Sequence, residues 1–164
     1  MQIEPTPQEI KHHLLDCFQQ ALQAVHGGES IKAWYQKAAN PFTGPFALIA
    51  IGKAAPAMTQ GAIDVFGQQI ERGQVIGKAG QMDEIKPSGI ELETLASSHP
   101  VPDERSLAAG QRLLGFIASL PADMPVLFLV SGGSSALVEV LVEGMSLDEL
   151  REINAEMLAG GMSI

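Results

Sequence analysis

Positive charge is scarce in this chain. Its 164 residues hold 10 lysines and arginines against 19 aspartates and glutamates, a formal net charge of −9. Nucleic-acid affinity rests on clustered cations that displace counterions from a phosphate backbone, so that class of partner is excluded. Any phosphate this protein holds must be held locally, by backbone amides or a few placed cations. Cysteine is scarcer still. The single Cys17 excludes an intramolecular disulfide and any zinc centre built from several thiolates. It stands in an apolar helical pattern and is expected in the core. Aromatic residues make up 5%, too few for an aromatic-rich β-sandwich. Long apolar runs are also missing: the longest strongly apolar one, Val126 to Val130, is far short of the ~20 residues a bilayer span needs. Met1 to Gln8 is polar, carries two prolines, and has no basic stretch leading into an apolar one. The expected setting is cytoplasmic.

What is present reads as a single globular domain able to bury a core, with 46% hydrophobic and 18% charged residues. Thr6-Pro7-Gln8-Glu9 is a capping box with proline at the first helical position, so a helix starts there. Ile10, Leu14, Leu15, Phe18, Leu22 and Val25 keep helical spacing up to Gly27-Gly28, and a second helix is expected over Ser30 to Ala39. The period then changes. Phe46 to Ile51 is a continuous apolar run between Pro45 and Gly52, the pattern of a buried parallel strand. Helix is expected from Ala54 to Gln68, strand at Val75 to Lys78, and, after a polar stretch with Pro87 and Gly89, strand at Thr94 to Ser97. A further helix opens at Asp103 or Glu104 and runs to Leu120, with Leu107, Leu113, Leu114 and Ile117 on its expected buried side. Val126 to Val130 reads as a second core strand, and Ser146-Leu147-Asp148-Glu149 as the capping box of a last helix. Alternating strands and helices imply an α/β fold, a parallel sheet covered by helices.

In such sheets, ligands gather where strands end and helices begin. Ser131-Gly132-Gly133-Ser134-Ser135-Ala136 directly follows an apolar strand. Two glycines let the backbone approach an anion, two serines add donors, and a helix beginning near Ser134 would aim free amides at the same point. The segment matches neither the dinucleotide fingerprint nor the P-loop, and it lacks the G-x-S-x-G elbow of a nucleophilic serine. Lys53, in Gly52-Lys53-Ala54-Ala55, puts one cation at the mouth of the first strand. Ser97-Ser98-His99-Pro100-Val101-Pro102-Asp103 is a proline-stiffened loop. His99 and Asp103 could act on it as ligand contacts or proton carriers. Alternatively the loop is structural, with Asp103 capping the next helix and His99 bonded to backbone. His12, His13 and His26 read as solvated, and no residue cluster has the form of a metal cage.

Three stretches, in this order, resemble the glycerate 2-kinase family, whose C-terminal half carries the MOFRL domain and whose members are also named hydroxypyruvate reductase. They are Ala50-Ile51-Gly52-Lys53-Ala54-Ala55 with Met58, His99-Pro100-Val101-Pro102-Asp103 with Ser106, and Val130-Ser131-Gly132-Gly133-Ser134-Ser135-Ala136-Leu137 with the downstream Gly144-Met145-Ser146-Leu147. The resemblance covers roughly residues 10 to 164 and is to the N-terminal, DUF4147-like domain. It implies a Rossmann-like parallel sheet with helices on both faces, and ATP- and Mg²⁺-dependent phosphorylation of D-glycerate at its 2-hydroxyl to 2-phosphoglycerate. It also implies a functional lysine at Lys53 and a nucleotide-phosphate loop at Ser131, Gly132, Gly133, Ser134 and Ser135. Metal ligands are not indicated. The family has a third loop glycine where this chain has Ser134. The family also continues past the equivalent of Gly160 to Ile164 into further strands and a second domain, so the chain is expected to be a fragment with an incomplete sheet, inert alone. Two other readings stand beside this one: an NAD(P)H-dependent hydroxypyruvate reductase, against which the missing dinucleotide fingerprint weighs, and a non-catalytic anion-binding domain.

Overall fold

The computed structural model describes residues 6–38, 40–86 and 89–161. Thr6 opens helix α1 (Pro7–Ala24) through the expected capping box: the Glu9 amide donates to Thr6 Oγ1 at 3.3 Å and the Thr6 amide to the Glu9 carboxylate at 2.7 Å. Then follow α2 (Gly27–Lys37), β1 (Phe46–Ile51), α3 (Ala55–Phe66), β2 (Ile70–Lys78), β3 (Glu91–Ser97), α4 (Glu104–Ser119), β4 (Val126–Val130), the single turn α5 (Ser134–Leu137) and α6 (Leu147–Ala159). No helix among the described residues is long and apolar enough to cross a membrane.

The four strands form one parallel sheet in the order β3-β2-β1-β4. From β1 the chain winds outward to β2 and β3, then returns past β1 to lay β4 on its other side. The winding therefore reverses between β1 and β4, and the C-terminal ends of strands at such a reversal are where open α/β sheets gather ligands. β1 is buried along its whole length, as its unbroken apolar run requires. One face of the sheet packs Leu48, Ala50 and Val75 against Ala55, Met58, Ala62 and Phe66 of α3. The other packs Ala47, Ile49, Ile51 and Ile76 against Ala109, Leu113 and Phe116 of α4 and Leu137 of α5. Helices thus cover both faces, as the α/β pattern implies. The scarce aromatics gather at the bottom of the first face, where Phe42 stacks on Phe46 at 4.0 Å and Tyr35 meets Phe66 edge-on at 5.0 Å.

Several expectations need correction. Cys17 is exposed, and so is the apolar stripe of α1: Leu14 and Phe18 are 64% and 60% exposed. The helical spacing there is real, but α1 buries no residue against this domain, so periodicity does not locate its partner. β4 is an edge of the described sheet, paired only with β1. Leu129 is buried, but Val130 is 63% exposed. On α4 the buried face is Ser106, Ala109, Gly110, Leu113 and Phe116, while Leu114 and Ile117 face solvent. Small residues let α4 approach the segment after α5, and that contact rotates the helix away from its bulkiest stripe. β2 and β3 begin earlier than their apolar cores suggested. Buried Gln74 donates to Glu93 at 2.7 Å, and the Arg72 guanidinium lies over the Phe116 ring, so polar residues there are strand residues with partners. α2 starts at Gly27, not at Ser30, because Gly28 packs against Gly61 of α3. Its expected end, Ala39, lies outside the described residues, as do Pro87 and the final Met162 to Ile164.

Candidate functional site

The reversal carries two sharp turns stitched together. β1 ends at Ile51, and Gly52 takes φ +127°, a conformation closed to side-chain-bearing residues. The turned chain meets the loop after β4. The Lys53 amide donates to the Gly132 carbonyl at 3.0 Å, the Ala54 amide to Ser131 Oγ at 3.0 Å, and the Ser131 amide to the Ile51 carbonyl at 2.9 Å. Ser134 Oγ donates to the Ser131 carbonyl at 2.6 Å. Ser131 and Ser134 are therefore fasteners of the turn, which narrows the role expected of them as direct anion donors. Removing the acceptor from the Ala54 amide by Ser131→Ala should lower stability by about 1–2 kcal/mol, read as a reduced urea midpoint. An unchanged midpoint would refute that role.

The same stitching leaves donors free. The amides of Gly132, Gly133, Ser134 and Ser135 donate to no other described residue, and the Ser135 hydroxyl is exposed without a hydrogen-bond partner among them. Gly133 sits at φ +90° and gives α5 no side-chain cap. The orphan amides at this turn are the kind of donors an anion satisfies. Ser134, where the related family has glycine, lies in the helical turn rather than in a left-handed conformation, so its Cβ brings no backbone strain. The Lys53 side chain runs along this loop: a Cβ placed on Gly133 would lie 3.4 Å from Lys53 Cγ, and one on Gly132 would lie 3.8 Å from its Cε. Lys53 is exposed and has no ion-pair partner among the described residues.

His99 and Asp103 part company. The His99 ring lies over Gly133, its Nε2 only 2.8 Å from where a Cβ there would be, so it shares that loop with Lys53. It makes no hydrogen bond within the described residues, contrary to the expectation that it bonds backbone. Burial, then the charges of Lys53 and Lys78, hold its pKa below the ordinary histidine value. Asp103 caps α4: its carboxylate accepts from the Arg105 amide at 2.9 Å and from the Arg105 guanidinium at 2.7 Å, and Ser106 completes a capping box. Arg105 holds that carboxyl below its usual range. Asp103 is thus structural, one of the two readings the sequence left open. The loop is further secured by Ser97 Oγ donating to the Leu137 carbonyl at 2.7 Å, and by Arg151 of α6 donating to the Pro102 carbonyl at 3.2 Å.

Lys78 was missed from sequence. It ends β2, pairs in register with Ser97, lies close enough to His99 to lower its pKa, and has no ion-pair partner among the described residues. The signal was available: a lysine at the C-terminal end of a buried strand, the same feature that singled out Lys53. Among the described residues no group of three or more histidine, cysteine, aspartate and glutamate side chains could hold a metal ion.

A parallel α/β domain with two hydrogen-bonded turns at its switch point is the class that fold and site define. Residues 13–164 match the family described as Domain of unknown function (DUF4147), and the chain belongs to that family. It is 32% identical over 158 residues to a protein of Thermotoga maritima named D-glycerate 2-kinase, covering 96% of this chain and 36% of that one. A protein of Agrobacterium vitis provisionally named hydroxypyruvate reductase is 34% identical over 117 residues, covering 71% of this chain and 29% of its own length. The crystal structure of a glycerate kinase from Thermotoga maritima superposes with a TM-score of 0.77 at 32% identity, covering 96% of this chain and 36% of that one. The chain thus spans about a third of the length of these relatives.

Proposed function

We propose that this chain is the nucleotide-phosphate-binding part of a glycerate 2-kinase, which transfers the γ-phosphoryl group of ATP to the 2-hydroxyl of D-glycerate. The observation that carries this reading is the convergence of an unpaired lysine, Lys53, with four free amides, Gly132 to Ser135, at the switch point of a parallel sheet. Phosphoryl transfer asks a protein mainly for positioning and charge stabilisation, and these groups supply both. The loop amides hold phosphate oxygens, and Lys53 offsets the negative charge on the group in flight.

The donor set fits ATP phosphates. It does not furnish a Mg²⁺ site, since Asp103, the acid of the neighbouring loop, is committed to Arg105 and the α4 cap. The acid's carboxylate is expected to meet residues outside these 164, so the chain alone should not turn over.

The name carried by the Agrobacterium relative favours a second reading, reduction of hydroxypyruvate with NAD(P)H. Titration of the full-length protein with ATP–Mg²⁺ and with NADH separates the two. ATP is expected to bind in the micromolar to millimolar range usual for such substrates, with NADH binding absent. NADH binding without ATP binding would overturn the kinase reading.

A further inference from the structure

The cradle accounts for Lys53 and the loop amides but leaves His99 unexplained. Its imidazole is half-buried against Gly133, beside Lys53, and has no hydrogen-bond or ionic partner among the described residues. A histidine placed for packing would satisfy its ring on a nearby carbonyl or hydroxyl, as Ser97 and Ser98 do from the same segment with Leu137 and Val101. Instead the ring lies against Gly133, within the loop whose free amides would hold a phosphate in the kinase reading.

Resting on the kinase reading above, we propose that His99 is the base that accepts the proton of the acid's 2-hydroxyl during phosphoryl transfer. The hydroxyl O–H bond breaks and its proton passes to an unprotonated ring nitrogen. The oxygen forms its bond to the γ-phosphorus, and the bond from that phosphorus to the bridging oxygen breaks, its electron pair leaving on ADP. The imidazolium then returns the proton to solvent. A loose transition state makes only a modest demand on the base, so position matters more than basicity.

The surroundings disfavour protonation of the ring. Lys53 acts on it from the turn after β1 and Lys78 from the end of β2; the loop after β4 presents Gly133, which does not titrate. On its own segment, Asp103 is turned to Arg105. Burial and the two lysines all act against protonation, so the base form persists to a pH below the 6.5 of an ordinary histidine. Lys78, which the phosphate cradle does not use, thereby acquires a role as a positioning charge.

The test is the pH dependence of glycerate kcat/KM in the full-length protein at saturating ATP. The wild type should lose activity as pH falls through the lowered His99 pKa. His99→Gln should lower kcat by about 100-fold and abolish that acid limb, with the KM for ATP changed by less than about threefold. Lys78→Met should move the limb upward in pH, because a repelling positive charge is gone. A His99→Gln enzyme with wild-type rate and an intact limb overturns the proposal, and so does a limb that Lys78→Met leaves in place. A wild type without glycerate-dependent turnover overturns the kinase reading and this role with it, so failure of the base alone is distinguishable.

Discussion

Lys53→Ala in the full-length protein should lower glycerate-dependent turnover by about 10³-fold, roughly 4 kcal/mol of transition-state stabilisation. The residue is exposed, and no carboxylate lies within ion-pair distance of it among the described residues, although acids outnumber bases by 19 to 10. An exposed lysine without a partner contributes little to folding, so the variant should unfold within about 0.5 kcal/mol of wild type. Its position is nonetheless fixed. The Lys53 amide is tied to the Gly132 carbonyl at 3.0 Å, and its side chain runs along Gly133. A cation held there meets the ground-state nucleotide and the transferring group unequally, because charge shifts during transfer. Loss of kcat should therefore exceed any rise in the KM for ATP. Wild-type kinetics in Lys53→Ala would refute the role.

The central part of the molecule was the most legible from sequence. An unbroken apolar run at Phe46 to Ile51, followed by glycine and lysine, identifies a buried strand with its turn, because parallel strands are buried on both faces and leave no alternation to read. The Ser131 to Ser135 loop is similarly plain, since glycine at a strand end has few other uses. What sequence could not assign was the direction in which groups point. The stripe from Ile10 to Val25 shows that α1 has an apolar side, but not what covers it, and among the described residues none of the helix is buried. Val126 to Val130 looks like β1 in composition, yet lies at the sheet edge, a matter of strand order that hydropathy does not encode. In the proline loop, Asp103 had a local partner in Arg105 and a cap to make, which spacing can suggest. The place of His99 depends on Gly133, on Lys53 in the turn after β1 and on Lys78 at the end of β2, neighbours that only the fold brings together.

The positive φ of Gly52 gives the other large effect. Gly52→Ala should destabilise the domain by about 4 kcal/mol and abolish ATP binding. Two costs add. A φ of +127° is reserved for glycine, and imposing it on alanine costs about 1–3 kcal/mol. The new methyl would also sit on Ser131 Oγ and 2.6 Å from the Ser131 carbonyl oxygen, a collision worth a further 1–3 kcal/mol or so. Ser131 cannot step aside. Its amide is bonded to the Ile51 carbonyl, its hydroxyl accepts from the Ala54 amide, and its carbonyl accepts from Ser134 Oγ. Relief must come by parting the β1 turn from the β4 loop, which breaks the Lys53 to Gly132 bond and moves Lys53 away from the free amides. Gly80→Ala separates the two costs: its φ is +83°, but a Cβ there would meet nothing within 4 Å, so it carries backbone strain alone, about 1 kcal/mol. Urea unfolding and ATP titration of both variants decide the matter. If Gly52→Ala is no less stable than Gly80→Ala and still binds ATP, the paired turns do not hold the cradle together.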